Sequence, residues 1–253
     1  MPMASLPSLD VTHPVATLTL RRPENANRLE PDDLKAVAAH IAAVSRDPAV
    51  LVLQIRGEGR YFCSGYDISS LASQSGNPLG FENMVDAIES ARPATIAVVH
   101  GGAYGGGTDL ALACDFRIGT HAAEMFMPAA RLGLHYYRGG LERYVARLGL
   151  DNAKRLFLTA DRIDAEAMRA CGFLTDLVAA DALEAAVERL SRTLASMAPL
   201  ALLGMKKHLN RIARGMLDAN DLQADIARAA ESNDLREGAA AWAEKRPPKF
   251  TGR

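Results

Sequence analysis

The 253 residues carry 29 lysines and arginines against 30 aspartates and glutamates, a net charge of −1, with 49% hydrophobic and 23% charged positions. So even a balance gives no reason to expect nucleic acid or an anionic membrane surface as a partner, and no run approaches the roughly eighteen apolar residues that span a bilayer. Cys63, Cys114 and Cys171 are odd in number and widely spaced, which speaks against a disulfide framework or a cysteine-based zinc site and fits a reducing compartment.

The first residues, MPMASLPSLDVTHP, lack a basic stretch followed by an apolar core and do not read as a secretory signal, so a cytoplasmic protein is expected. Residues 15–21, VATLTLR, alternate as a strand and run into a turn, RPENAN. Pro31 opens a helix, PDDLKAVAAHIAAVS, with acids in its first turn and apolar residues at helical spacing. Residues 50–55, VLVLQI, form a second, buried strand that leads into the glycine-punctuated RGEGRYFCSGYDISSL. Residues 72–80, ASQSGNPLG, are the most loop-like stretch, and a helix follows over 81–91.

Residues 95–99, TIAVV, are β-branched at four of five positions and read as a strand buried on both faces. Gly101, Gly102, Gly105, Gly106 and Gly107 come next, and LALAC at 110–114 resumes as helix. This order places the bare N-terminus of a helix beside a flexible backbone, where amides without an intrahelical partner sit at the positive end of the dipole. The run has neither the GxGxxG spacing of a dinucleotide fold nor a GxxxxGK[ST] phosphate loop. Close packing of helix on strand would ask for the same glycines. A fourth strand is expected over 116–119 and another over 174–178, with helices over 141–149, 152–159, 165–171, 181–197 and 200–213. The pattern is alternating β and α first, helices last.

Two loops, FCSGYDI at 62–68 and GGAYGGGTDLALACD at 101–115, each close a buried strand, and ligands bind at the carboxyl ends of strands in α/β sheets. Together with PENANRL at 23–29, FMPAARLGL at 126–134, the block at 153–178 and EGAAAWAEKRPPKF at 237–250, they resemble the crotonase superfamily, the enoyl-CoA hydratase and isomerase family. The resemblance covers nearly the whole chain in order. It implies an α/β fold, the ClpP-like crotonase spiral of repeated ββα units over residues 1–195, with a C-terminal helical trimerisation region over 196–253. A homotrimer or a hexamer built as a dimer of trimers is implied with it. So is an acyl-CoA substrate, coenzyme A being part of the substrate, with no tightly bound cofactor; His13, His40, His100, His121 and His208 show no metal-ligand spacing, so no metal is expected.

By the family's pattern, two backbone amides would hold the thioester carbonyl, and they map to Ser64 and Gly106. Losing one such donor typically costs about 3 to 4 kcal/mol in comparable acyl-transfer sites. The same pattern gives Asn25, Ala26, Ser64, Tyr66, Asp67 and Ile68 to coenzyme A, and Lys249 and Phe250 to the nucleotide of a neighbouring subunit, against the plainer reading of a solvated tail.

The sequence also departs from the family. Of the two glutamates that hold water in a hydratase, the first is Asp109, roughly 1.5 Å shorter in reach, and the second is Ala129, which carries no proton. Two-glutamate hydration is therefore not expected. Asp109 would serve alone as acid or base, or as a first-turn residue favoured by the helix dipole. His135, Tyr136, Tyr137 and Arg138 crowd the loop that the family brings over the acyl end. Tyr136 best matches a tyrosine of the family's decarboxylases of the methylmalonyl-CoA kind, although tyrosines also pack helix on sheet. Isomerisation, decarboxylation of a malonyl-type ester, or a catalytically degenerate acyl-CoA binding protein are the readings left open.

Overall fold

The computed structural model describes residues 6–67 and 78–253; Ile68 and residues 72–77 of the expected loop lie outside them. Six strands form one sheet in the order β1 (Ser8–Thr12), β2 (Val15–Leu20), β3 (Val52–Gly57), β4 (Ala94–Val99), β6 (Phe116–Thr120) and β9 (Asp176–Val178). Only the β1–β2 pair is antiparallel. A second sheet joins β5 (Ala103–Tyr104), β7 (Glu124–Phe126) and β8 (Ile163–Asp164). The sequence reading has no β1, β5, β7 or β8.

Every residue of β4 is buried, as its uniform apolar run requires of a central parallel strand. One face is covered by α1 (Pro31–Arg46), α2 (Pro78–Glu89) and α3 (Gly106–Ala113), which share a core with Leu18, Leu53, Ile55 and Val99. On the other face Leu183, Val187 and Leu194 of α7 (Leu183–Ala195) pack on Val52, Ile96, Val98 and Ile118. Between α3 and α7 in the chain come α4 (Arg138–Leu148), α5 (Leu150–Thr159) and α6 (Ala165–Ala170), whose Tyr144, Leu148, Leu156 and Met168 join the core of the first face.

Three helices end the chain: α8 (Pro199–Ala213), α9 (Ala219–Ala230) and α10 (Asn233–Glu244). The last two lie beyond residue 213, where the helices read from residue pattern ended, and within the helical region that the resemblance implies over 196–253. Lys206 on α8 pairs with Asp115 at 2.8 Å, and Asn210 donates to the Glu89 carbonyl at 2.9 Å, so this region is anchored on the sheet layer. Among the described residues no helix is long and apolar enough to cross a membrane.

Because β2, β3 and β4 are adjacent and parallel, their carboxyl ends deliver the 22–29 turn, the 58–67 loop and the 100–107 glycine run to one edge. That convergence positions the site.

Candidate active site

The turn and the loop are stitched together by backbone. Leu29 N donates to Gly65 O at 2.8 Å, Asp67 N to Leu29 O at 3.0 Å and Ser64 N to Ala26 O at 2.9 Å. Asn27, buried and with φ +53°, is the clamp. Its amide nitrogen donates to the carbonyls of Glu58 and Tyr61 at 2.9 and 2.8 Å, and its oxygen accepts from Arg22 N at 3.0 Å. Arg22 in turn pairs with buried Asp33 at 2.8 Å. The Cys63 thiol fills the space beneath, donating to Asn27 O, and burial pushes its pKa up to about 12.

The expectation for Ser64 has to be corrected, since its amide already donates to Ala26 and its hydroxyl donates to Asn25 O at 3.3 Å. Two residues on, Tyr66 lies between the two bonds of a parallel bridge with Leu29, so its own amide faces away from that strand. Among the described residues neither the Tyr66 amide nor the Gly106 amide has a backbone acceptor. The two loops touch here: a Cβ on Gly65, whose φ is +88°, would stand 2.5 Å from Gly106 N. A Cβ on Gly106 would meet the Phe81 ring at 2.6 Å, so Phe81 closes over the start of α3. The glycines therefore serve close approach between two loops as well as helix packing.

Asp109 also sits differently from its expected role. It is fully buried, one turn into α3, and accepts two parallel bonds from Arg143 of α4, Nε to Oδ1 at 2.8 Å and Nη2 to Oδ2 at 3.0 Å. Tyr137 Oη donates to the same Oδ2. With both oxygens engaged in the protein, the carboxylate does not itself face a ligand. Arg143 also binds Asp86 at 2.7 Å and Glu89 at 3.1 Å; Arg214 binds Glu89 and Glu142, each at 2.8 Å. Burial alone pulls the Arg143 pKa down, but the Asp109 charge and its hydrogen bonds, with Tyr137 and Glu89, carry it above the ordinary value.

Tyr136 and Tyr137 stack with centroids 4.6 Å apart and planes at 24°. Tyr136 is core material more than wall. Its ring packs on Phe157, a Cβ at Gly140 would stand 2.2 Å from that ring, and its buried hydroxyl has no partner among the described residues. Tyr137 is half-buried and meets Phe81 edge-on at 6.1 Å. Burial first, then the Asp109 charge, raises both phenols above their usual range. His135 and Arg138 are exposed, and Arg138 pairs with Glu142 at 2.6 Å instead of reaching inward. Ala129 is buried in the core.

The C-terminal tail is tied down rather than loose. Asp234 accepts from the amides of Thr251 and Gly252 at 2.7 and 2.8 Å, and Glu237 accepts from Lys249 N at 2.7 Å while pairing with Arg246. Arg246 first, then the Lys249 amide, lowers the Glu237 pKa to about 2. Phe250 lies at Gly238, and the Lys249 side chain is exposed. On α8 and α9, donor atoms of His208, Asp221 and Asp225 gather, with the Lys207 ammonium on both carboxylates at 2.9 and 2.5 Å.

Sequence reasoning missed Arg143, Phe81 and the Tyr66 amide. Arg143 had a signal: it falls on the buried stripe Gly140, Tyr144, Leu148 of α4, where a charge demands a partner. The Tyr66 amide had none, because backbone bonding is invisible in residue identity.

The family model described as Enoyl-CoA hydratase/isomerase matches residues 10–253. A crotonyl-CoA hydratase of Syntrophomonas wolfei is 32% identical over 251 residues, covering 96% of each chain. A 1,2-epoxyphenylacetyl-CoA isomerase of Escherichia coli is 31% identical over 250 residues, covering 94% of this chain and 95% of that one. Among solved structures, an enoyl-CoA hydratase/carnithine racemase from Magnetospirillum magneticum superposes with a TM-score of 0.92 at 25% identity, covering 98% of this chain and 96% of its own.

Proposed function

The chain belongs to the enoyl-CoA hydratase/isomerase family, and from that premise we propose that it moves a proton on an acyl-CoA thioester through an enolate held between the amides of Tyr66 and Gly106. The observation that carries this is the pressing of Gly65 onto Gly106 N, which brings two strand-end loops together at the N-terminus of α3. Donors fixed there favour an enolate oxygen over a neutral carbonyl, because the charge develops where the amides already point. Coenzyme A would lie along Asn25, Ala26, Ser64, Tyr66 and Asp67. Lys249 and Phe250 would meet the nucleotide of a neighbouring protomer in a trimer or hexamer.

Isomerisation of an enoyl thioester fits this site better than hydration. Hydration needs a water held between two carboxylates, whereas here Ala129 is buried and apolar and Asp109 is bound at both oxygens. The test is to follow hydration of crotonyl-CoA and double-bond migration in 3-hexenoyl-CoA side by side. Migration outpacing hydration is expected, and hydration at an ordinary enzyme rate would overturn the ranking. The unpartnered Tyr136 hydroxyl beside Asp109 favours one second reading, decarboxylation of a malonyl-type ester, which release of carbon dioxide from methylmalonyl-CoA would reveal.

A further inference from the structure

We propose that Tyr137 is the catalytic residue that touches the substrate carbon, and that Asp109 acts only through it, as the far end of a two-member proton relay. The inference rests on the enolate site just described. Tyr137 is the half-buried member of the pair, and its ring meets Phe81, which in turn lies on Gly106, so only the Phe81 ring separates it from the start of α3. Its proton is given to Asp109 Oδ2, and a phenol oxygen that donates still has lone pairs with which to accept. Two parallel bonds from Arg143 fix the carboxylate, and the stacked Tyr136 ring fixes the phenol.

In the forward step the Cα–H bond breaks and its proton bonds to Tyr137 Oη. The Tyr137 proton passes at the same time to Asp109 Oδ2, and the C–H electron pair becomes the enolate held at the amides. Running the relay backwards delivers the proton to Cγ, completes a 1,3 shift and leaves the protein unchanged. No free phenolate forms, so the raised phenol pKa is no obstacle.

The surrounding charges accommodate a proton on Asp109. Asp86, Glu89, Asp109 and Glu142 are bridged by Arg143 and Arg214, with the exposed Arg138 on Glu142. Four carboxylates against three guanidiniums leave one negative charge in surplus, and Arg143 keeps Asp86 and Glu89 as partners when Asp109 is neutralised. A single carboxylate set back from the substrate thereby serves both directions, which accounts for a short aspartate whose oxygens never face the ligand.

The test is deuterium wash-in at Cα of butyryl-CoA in heavy water, followed by NMR, with binding of butyryl-CoA measured by calorimetry on the same samples. Wild type should exchange. Tyr137→Phe and Asp109→Asn should each exchange at least about 100-fold more slowly, the usual scale for a positioned acid or base. Both should bind butyryl-CoA within about threefold of wild type, and the double variant should be no slower than the slower single, as members of one relay require. Exchange by Tyr137→Phe at the wild-type rate, or losses that multiply in the double variant, would overturn the relay. Binding without exchange in wild type would also overturn it while leaving the site reading intact, whereas absence of butyryl-CoA binding would remove both.

Discussion

Replacing Arg143 by methionine tests the electrostatic account of the site. The guanidinium is 1% exposed and serves Asp109, at 0%, and Glu89, at 12%. Methionine fills the aliphatic volume but leaves Asp109, among the described residues, with Tyr137 as its one remaining side-chain donor. Breaking a buried pair from one side costs about 3–5 kcal/mol, because the surviving charge keeps its desolvation penalty without its attraction. For a chain of this size each kcal/mol moves the midpoint by about 2–4 °C, so thermal unfolding followed by circular dichroism should show a drop of about 10 °C. Adding Asp109→Asn removes the stranded charge and should restore at least about 1–2 kcal/mol, a coupling expected of contacting residues. A loss under about 1 kcal/mol, or a double variant no more stable than Arg143→Met alone, would refute the reasoning.

Gly65→Ala should abolish turnover of any accepted acyl-CoA by at least about 100-fold, since φ +88° and a Cβ 2.5 Å from Gly106 N force the amide pair apart; an unchanged kcat would dismiss that pairing. Asn27→Ala removes three hydrogen bonds, two of them donated to carbonyls of the 58–67 loop, and should cost about 2–4 kcal/mol in urea unfolding, with weaker coenzyme A binding by calorimetry. The thiols of Cys63 and Cys114, both raised from 9.0 to about 12 by burial, stay protonated when folded while the unfolded chain ionises. Their stabilisation is complete below pH 9 and is lost as pH rises towards 12, by about 1.4 kcal/mol per pH unit per thiol. Unfolding midpoints measured between pH 9 and 10 should flatten in the Cys63→Ser, Cys114→Ser double variant. Asp234→Ala should speed hydrogen exchange at the Thr251 and Gly252 amides, which it holds at 2.7 and 2.8 Å.

What the sequence made legible was the scaffold of long periodic elements and the glycine run between β4 and α3, because both leave composition signals along the chain. The strands of the small sheet were not legible, being two or three residues long and defined by partners distant in sequence. In the site, Gly106 and Asp109 were singled out by the match of the glycine run to the family's pattern, but the state of each depends on what faces it. Asp109 reads as an acid awaiting a proton until Arg143, thirty-four residues on, is seen to hold both oxygens. Ser64 failed for a similar reason: its amide is consumed by Ala26, a bond that no side chain advertises.

The way Asp109 is embedded also constrains which neighbouring sequences remain open to this protein. Oδ2 lies 3.0 Å from where a Cβ on Gly140 would be, between Tyr137 and Arg143, so a glutamate at 109 has no room to lengthen along its present path. A second glutamate at 129 would bring a charge into a position now buried among apolar neighbours. Each substitution alone costs stability before either restores a water site, and Arg143 would have to find new partners at the same time. Two-carboxylate hydration therefore lies several coordinated changes away from this sequence. Laboratory evolution from this chain should more readily retune its acyl specificity than its reaction.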